Sequence, residues 1–260
     1  MDLGDGRVWV DDRGGPGVPV ILLHPGWGDA SIWDGVLARL PSRLRAVRYD
    51  NRGYGRSPAP ATPFSWHDDL VAVMDRLDVP RALIVGHSGG GASALGVALS
   101  HPDRVASLVL LAPGIPDFPW PERDGYFTRF DALFAAGDRA GLVDLGLRTW
   151  ASADTGSAAR TQISGAVSAM FACGDRQLPD PPALDRLHLV SARTHVLIGE
   201  LDHHSVLDCA RTIAARVPTC ALTVVPGADH LLPLRHPDLV VRAVDRAGRL
   251  TPGEDPPGTP

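Results

Sequence analysis

Residues 81–100 read RALIVGHSGGGASALGVALS, and the two halves of this stretch follow different rules. The first half, RALIVGH at 81–87, is a short apolar run ending at a glycine. A strand buried on both faces has this pattern. The second half, at 92–100, is rich in Ala and Leu and stops at His101-Pro102, which predicts a helix. Gly86-His87-Ser88-Gly89-Gly90 lies between them and fits G-x-S-x-G in the strand–turn–helix setting this motif needs. The tight turn lifts Ser88 Oγ above the sheet edge. The following helix directs its N-terminal amides at the same point, which favours negative charge there. The competing readings of such a turn are a Ser N-cap on a Gly-rich turn and a phosphate cradle. The cradle calls for a Lys near the second glycine, and all 25 basic residues of this chain are Arg. Ser88 is therefore read as a nucleophile.

Similar apolar runs occur at 18–24, 44–50, 105–112, 194–200 and 220–226. Helical patterns fall at 31–40, 65–77, 205–216 and 237–250. This alternation predicts a doubly wound, mostly parallel α/β sheet. Residues 7–11 are expected to add an antiparallel edge. The rhythm breaks at 114–187, where no strand is expected. FTRFDALFAAGDRAGLVDLGLRTWA (127–151) and AARTQISGAVSAMFACG (158–174) have helical spacing instead. An insert this long suggests a small helical lid. The expected division is a core at 1–113, the lid at 114–187, the rest of the core at 188–250 and a Pro/Gly-rich, disordered tail at 251–260.

Composition narrows the function classes. The chain has 260 residues, a net charge of −5 and a pI near 6.0, and this argues against nucleic-acid binding. No apolar run reaches the roughly 18 residues that span a bilayer. MDLGDGRVWVDDRGG lacks the basic and apolar regions of a secretory signal. Cys173, Cys209 and Cys220 lack metal-type spacing and read as buried thiols. The expectation is a cytoplasmic protein with a small-molecule substrate and no membrane or nucleic-acid partner.

With Ser88 and its flanks in place, the chain resembles the α/β-hydrolase fold superfamily over about residues 5–250. Four motifs occur in the family's order. His24-Pro25-Gly26-Trp27 resembles the oxyanion loop. Asp50-Asn51-Arg52-Gly53-Tyr54-Gly55-Arg56-Ser57 resembles the D-x-R-G-x-G-x-S turn. Gly86–Gly90 is the nucleophile elbow. Gly199-Glu200-Leu201-Asp202 and Gly227-Ala228-Asp229-His230 resemble the acid and base loops. The resemblance implies an eight-stranded-type sheet with helices on both faces and an inserted helical lid. It also implies a triad of Ser88, Asp202 and His230, with an oxyanion hole of Gly89 and either Gly26 or Trp27. Pro25 stands where the family usually has Gly, which leaves both amides open. Glu200 and Asp117 are alternative acids, since some family members take the acid from after the preceding strand. His24 is expected to brace its loop.

Trp27, Trp120, Phe127, Phe130 and Trp150 are candidates to line an apolar substrate pocket, with Phe118, Tyr126, Phe134, Met170 and Phe171 as further apolar residues of the insert. No organic cofactor or metal is expected. His203-His204 are adjacent in sequence and no third ligand stands out beside them. Three functions stay open. The first is hydrolysis of a carboxylic ester, lactone or thioester. The second is C–C cleavage, acyl transfer or rearrangement by the same triad. The third is a ligand-binding receptor. Epoxide hydrolase and haloalkane dehalogenase chemistry is disfavoured, because those enzymes carry Asp at the position of Ser88.

Overall fold

The computed structural model describes residues 1–249. The tail expected at 251–260, and Leu250 at the end of the last predicted helix, lie outside the described residues. Seven strands form one sheet in the order β1-β3-β2-β4-β5-β6-β7. They are β1 (Trp9–Asp12), β2 (Pro19–Leu23), β3 (Arg45–Asp50), β4 (Ala82–His87), β5 (Val105–Leu111), β6 (Arg193–Gly199) and β7 (Cys220–Val225). β1 runs antiparallel on β3, and every other pairing is parallel. The edge expected at 7–11 is thus present. An eighth strand is absent among the described residues: the eight residues before β1 make only a small loop closed by an Asp2–Arg7 bridge. Every residue of β4 is buried, which accounts for its unbroken apolar run.

The helices are α1 (Asp34–Leu37), α2 (Trp66–Arg76), α3 (Gly89–Ser100), α4 (Tyr126–Ala135), α5 (Arg139–Trp150), α6 (Ser157–Cys173), α7 (His204–Arg216), α8 (Leu232–Arg235) and α9 (Pro237–Arg249). α1, α8 and α9 pack together, with α9 against β4 and β5, while α2 and α3 form a second group with α3 on β2, β4 and β5. The helix predicted at 31–40 is shorter than expected. It is a 3-10 turn (Ala30–Trp33) capped by Asp29, followed by the four-residue α1.

Between β5 and β6 the chain leaves the sheet and forms α4, α5 and α6. The pattern at 127–151 breaks into two helices at Gly137, whose φ of 68° ends α4 in the left-handed region. Asp138 then starts α5 by accepting a bond from the Gly141 amide. No described helix is long and apolar enough to cross a membrane.

The strand order reverses between β2 and β4. Chain direction carries β3 to one side of β2, and β4 to β7 to the other. The loops leaving the carboxyl ends of β2 and β4 therefore meet at the switch point, where open α/β sheets form their crevice.

Candidate active site

Ser88 follows β4 with φ 53° and ψ −115°, a region that side-chain-bearing residues rarely occupy. Its backbone is held on both sides. Its amide donates to Leu111 O at 2.9 Å, and its carbonyl accepts from Gly91, Ala92 and Gly114 at 2.9–3.1 Å. The turn closes only because its flanks are glycine. A Cβ on Gly86 would lie 2.6 Å from Gly90 O, and one on Gly90 would lie 2.7 Å from both His24 O and Leu23 Cβ. The elbow is thus pressed against the end of β2. A Cβ on Gly89 would sit 3.6 Å from the Gly26 nitrogen, so the first residue of α3 faces the loop after β2.

That loop is braced by His24. Its Nε2 accepts from the Asn51 amide at 3.0 Å, so Nδ1 carries the proton and donates to Pro25 O at 2.8 Å. Burial lowers its pKa, and the neutral ring supplies both roles. Asp50 ties the same region to the turn after β3, accepting from the amides of Ala30 at 2.7 Å and Arg56 at 2.9 Å.

Asp202 follows β6, and His230 follows β7. Both side chains are fully buried. His230 Nδ1 donates to Asp202 Oδ2 at 2.9 Å and lies 3.0 Å from Oδ1. This bond assigns the proton to Nδ1. Among the described residues, Nε2 is left buried and without a hydrogen-bond partner, Ser88 included. The other acid candidates are engaged elsewhere. Glu200 is exposed and accepts from the Gly227 amide at 2.9 Å. Asp117 Oδ1 accepts from the Ala183 and Leu184 amides at 2.8 and 2.9 Å.

Two residues that the sequence did not single out hold the His230 loop. His87 Nε2 donates to His230 O at 2.8 Å, and the two rings lie 5.0 Å apart. Burial, then the neighbouring His230, pushes the His87 pKa well down, which keeps the ring a neutral donor. Asp229 is buried. It accepts from Arg235 Nε at 2.8 and 2.9 Å and from the Ala153 and Leu231 amides at 3.1 Å. The only sequence clue was position: His87 lies inside the elbow motif, and Asp229 is next to His230.

A cavity of about 430 Å³ opens on Ser88, Gly26 and Gly89. Trp27, Trp120, Phe127, Phe130 and Trp150 all line it, together with Tyr126 and Met170. Trp27 lies at 6.0 Å from the Phe130 ring and 6.2 Å from Trp150. Trp150 in turn packs 4.7 Å from the His230 ring and donates to Tyr126 OH at 3.1 Å. Among the described residues that line it, Asp117 is the one carboxylate and none is Arg. Phe134 and Phe171 do not line the cavity but stack on each other at 4.6 Å, and Phe118 packs on Trp120. The arrangement provides a serine on a strained turn, an oriented imidazole and an apolar chamber.

Residues 20–243 match the family described as "Alpha/beta hydrolase family". A protein of Caulobacter sp. (strain K31) named "Putative carbamate hydrolase RutD" is 29% identical over 259 residues, covering 91% of this chain and 94% of that one. A protein of Pseudomonas putida named 2-hydroxymuconate semialdehyde hydrolase is 27% identical over 255 residues, covering 92% of this chain and 89% of that one. Among solved structures, one described as "Est816 as an N-Acyl homoserine lactone degrading enzyme" superposes with a TM-score of 0.73 at 26% identity, covering 92% of this chain and 96% of that one.

Proposed function

The chain belongs to the alpha/beta hydrolase family, and from that premise we propose that it is a serine hydrolase of a small or medium, uncharged carboxylic ester, lactone or thioester. The buried Asp202–His230 pair carries this reading, with its Nε2 left unpartnered beside the Ser88 turn. Asp202 holds His230 in the tautomer whose Nε2 takes the Ser88 proton as Oγ attacks the carbonyl carbon, and it stabilises the imidazolium that forms. The amides of Gly89 and Gly26 receive the oxyanion. The nearness of Gly26 N to Gly89 favours Gly26 over Trp27 as the second donor. Each such donor is worth about 2.7–4 kcal/mol in the transition state. His230 then protonates the leaving group. Water, activated by the same ring, frees the acyl group and restores Ser88.

The chamber between sheet and insert takes the apolar part of the substrate, and α4 to α6 act as a lid over it. The absence of Arg from its lining favours neutral groups over carboxylates. The relatives named for a carbamate, a semialdehyde and an acylated lactone support acyl chemistry in general more than any one substrate. The protein is read as working in the cytoplasm.

A panel of p-nitrophenyl esters of increasing acyl length tests this reading, with Ser88→Ala run alongside. The expected result is turnover that rises with apolar acyl length, then falls, and disappears with Ser88→Ala. Turnover that survives Ser88→Ala would overturn the assignment. Binding of apolar ligands with no turnover on any ester would leave a receptor.

A further inference from the structure

Away from Ser88, the insert meets the acid loop through three side chains. Asp124 lies just before α4. His203 and His204 follow Asp202. Asp124 Oδ2 is 3.1 Å from His203 Nε2 and 3.5 Å from His204 Nε2. The three ligand atoms lie within 4.8 Å of one another. Adjacency in sequence argues against two histidines facing one ion. Here His203 is the N-cap of α7 and His204 its first residue, and the bend between them brings the two rings to a centroid distance of 4.1 Å.

We propose that Asp124, His203 and His204 form a binding site for a divalent transition ion of the Zn²⁺ class, which fastens the insert to the acid loop.

Three observations support it. First, the ligand set is two imidazoles and one carboxylate, which suits Zn²⁺, Co²⁺ or Ni²⁺ and not the all-oxygen preference of Ca²⁺ or Mg²⁺. Second, the spacing fits. Ligands at about 2.0–2.2 Å from a tetrahedral ion stand about 3.3–3.6 Å from each other; of the two carboxylate-to-imidazole separations, 3.5 Å lies inside that range and 3.1 Å just below it. Third, His204 Nε2 is buried and lacks a hydrogen-bond partner. His204 Nδ1 lies 3.0 Å from Ser205 Oγ, which can accept the Nδ1 proton in the tautomer that frees Nε2 to bind an ion.

Outer contacts orient the ligands, as metal sites require. Asp124 Oδ1 accepts from the Tyr126 amide at 3.0 Å, which leaves Oδ2 turned to the rings. A cleft of about 450 Å³ borders Asp124 and His203 and gives room for a water in the fourth position. Arg129 and Arg148 line the same cleft, but both are exposed, so their repulsion of a cation is screened. His203 now accepts from the Ser205 amide at its Nδ1, at 3.3 Å, and donates through Nε2 to Asp124. Ion binding moves that proton to Nδ1. The contact given up is at the long end of the hydrogen-bond range.

The test uses the full chain, stripped with a chelator and titrated with ZnCl₂ by calorimetry and thermal unfolding. The proposal expects one ion per chain. At zinc about a hundredfold above Kd it expects a Tm rise of about 5–10 °C. Co²⁺ in place of zinc should give the intense visible bands of a tetrahedral site. Asp124→Ala and His204→Ala should each weaken binding at least about tenfold, consistent with the loss of one of three ligands. The metal-free unfolding temperature of His204→Ala should stay near that of the parent, while that of Asp124→Ala should fall modestly because the Tyr126 amide and His203 lose their acceptor. No saturable binding, a Co²⁺ spectrum like that of the aqua ion, or unchanged affinity in both variants would overturn it. Should either variant fail to fold, the stoichiometry and the Co²⁺ spectrum of the parent still decide.

Discussion

Gly90→Ala is the most revealing small change in this molecule. The added methyl carbon would lie 2.7 Å from three rigid neighbours: His24 O, Leu23 Cβ and Leu23 O. An ordinary contact needs about 3.4 Å, so α3 and the end of β2 must separate by about 0.7 Å. Neither side yields easily. Leu23 is in the middle of the sheet, paired with Gly86, and His24 is fixed at both ring nitrogens. Overpacking of this kind costs about 1–3 kcal/mol of stability. The same displacement moves the Gly26 amide away from Gly89, that is, it widens the proposed oxyanion hole. Misplacement approaching 1 Å costs about 10²-fold in rate. The expectation is a kcat on p-nitrophenyl esters about 30- to 100-fold lower, with KM changed far less because the aromatic wall supplied by α4 and α5 stays in place. Urea unfolding monitored by Trp fluorescence should show the stability loss. A variant within about twofold of the parent in kcat, with an unmoved urea midpoint, would refute the claim that the elbow and the loop after β2 act as one rigid unit.

Other expectations follow from the same geometry. Asp202→Asn keeps the shape of the site but removes the charge that faces His230 Nδ1, so kcat should fall by about 10³–10⁴ with KM nearly constant; a loss below tenfold would point to another acid. Asp229→Ala strips the acceptor from Arg235 and from two backbone amides at a buried position, and equilibrium unfolding should show a loss of about 3–5 kcal/mol. A change under about 1 kcal/mol would mean that water replaces the carboxylate. His24 and His87 are buried with lowered pKa values, while the unfolded chain titrates near the ordinary value of about 6.5. Below that pH the unfolded state binds more protons, so stability should fall on acidification by up to about 1.4 kcal/mol per pH unit for each ring. Urea midpoints measured at about pH 7.5 and about pH 5.5 check this, and His87→Gln should reduce the slope by about one proton. Equal midpoints would contradict neutral, buried rings.

What could be read from the sequence was what lies close along the chain or is written in a motif. Residues 81–100 encode β4, the turn and α3 by period alone, because a doubly buried strand and a capped helix leave different patterns. Four of the five aromatic candidates stood out because the insert is rich in Trp and Phe, and Trp27 because it sits in the loop that resembles the oxyanion loop. Contacts between distant segments left no such trace. Asp124 and His203 are 79 residues apart and meet only because α7 starts beneath the insert. Asp229 gave no sign of its bonds to Arg235 and the Ala153 amide, since one lies at the far end of α8 and the other belongs to the insert. The break at Gly137 was missed because the flanking helices share an apolar period, and a single glycine with positive φ decides where one stops. The eighth strand was a family expectation that eight N-terminal residues, closed into a small loop, do not fulfil.

If Ser88 is the activated nucleophile, covalent trapping will reveal it. The protein is incubated with a fluorophosphonate, and the adduct is located by peptide mass spectrometry. A single adduct on Ser88 is expected, formed quickly by the parent, slowly by Asp202→Asn and not at all by Ser88→Ala. No adduct, or an adduct on another residue that persists in Ser88→Ala, would contradict it.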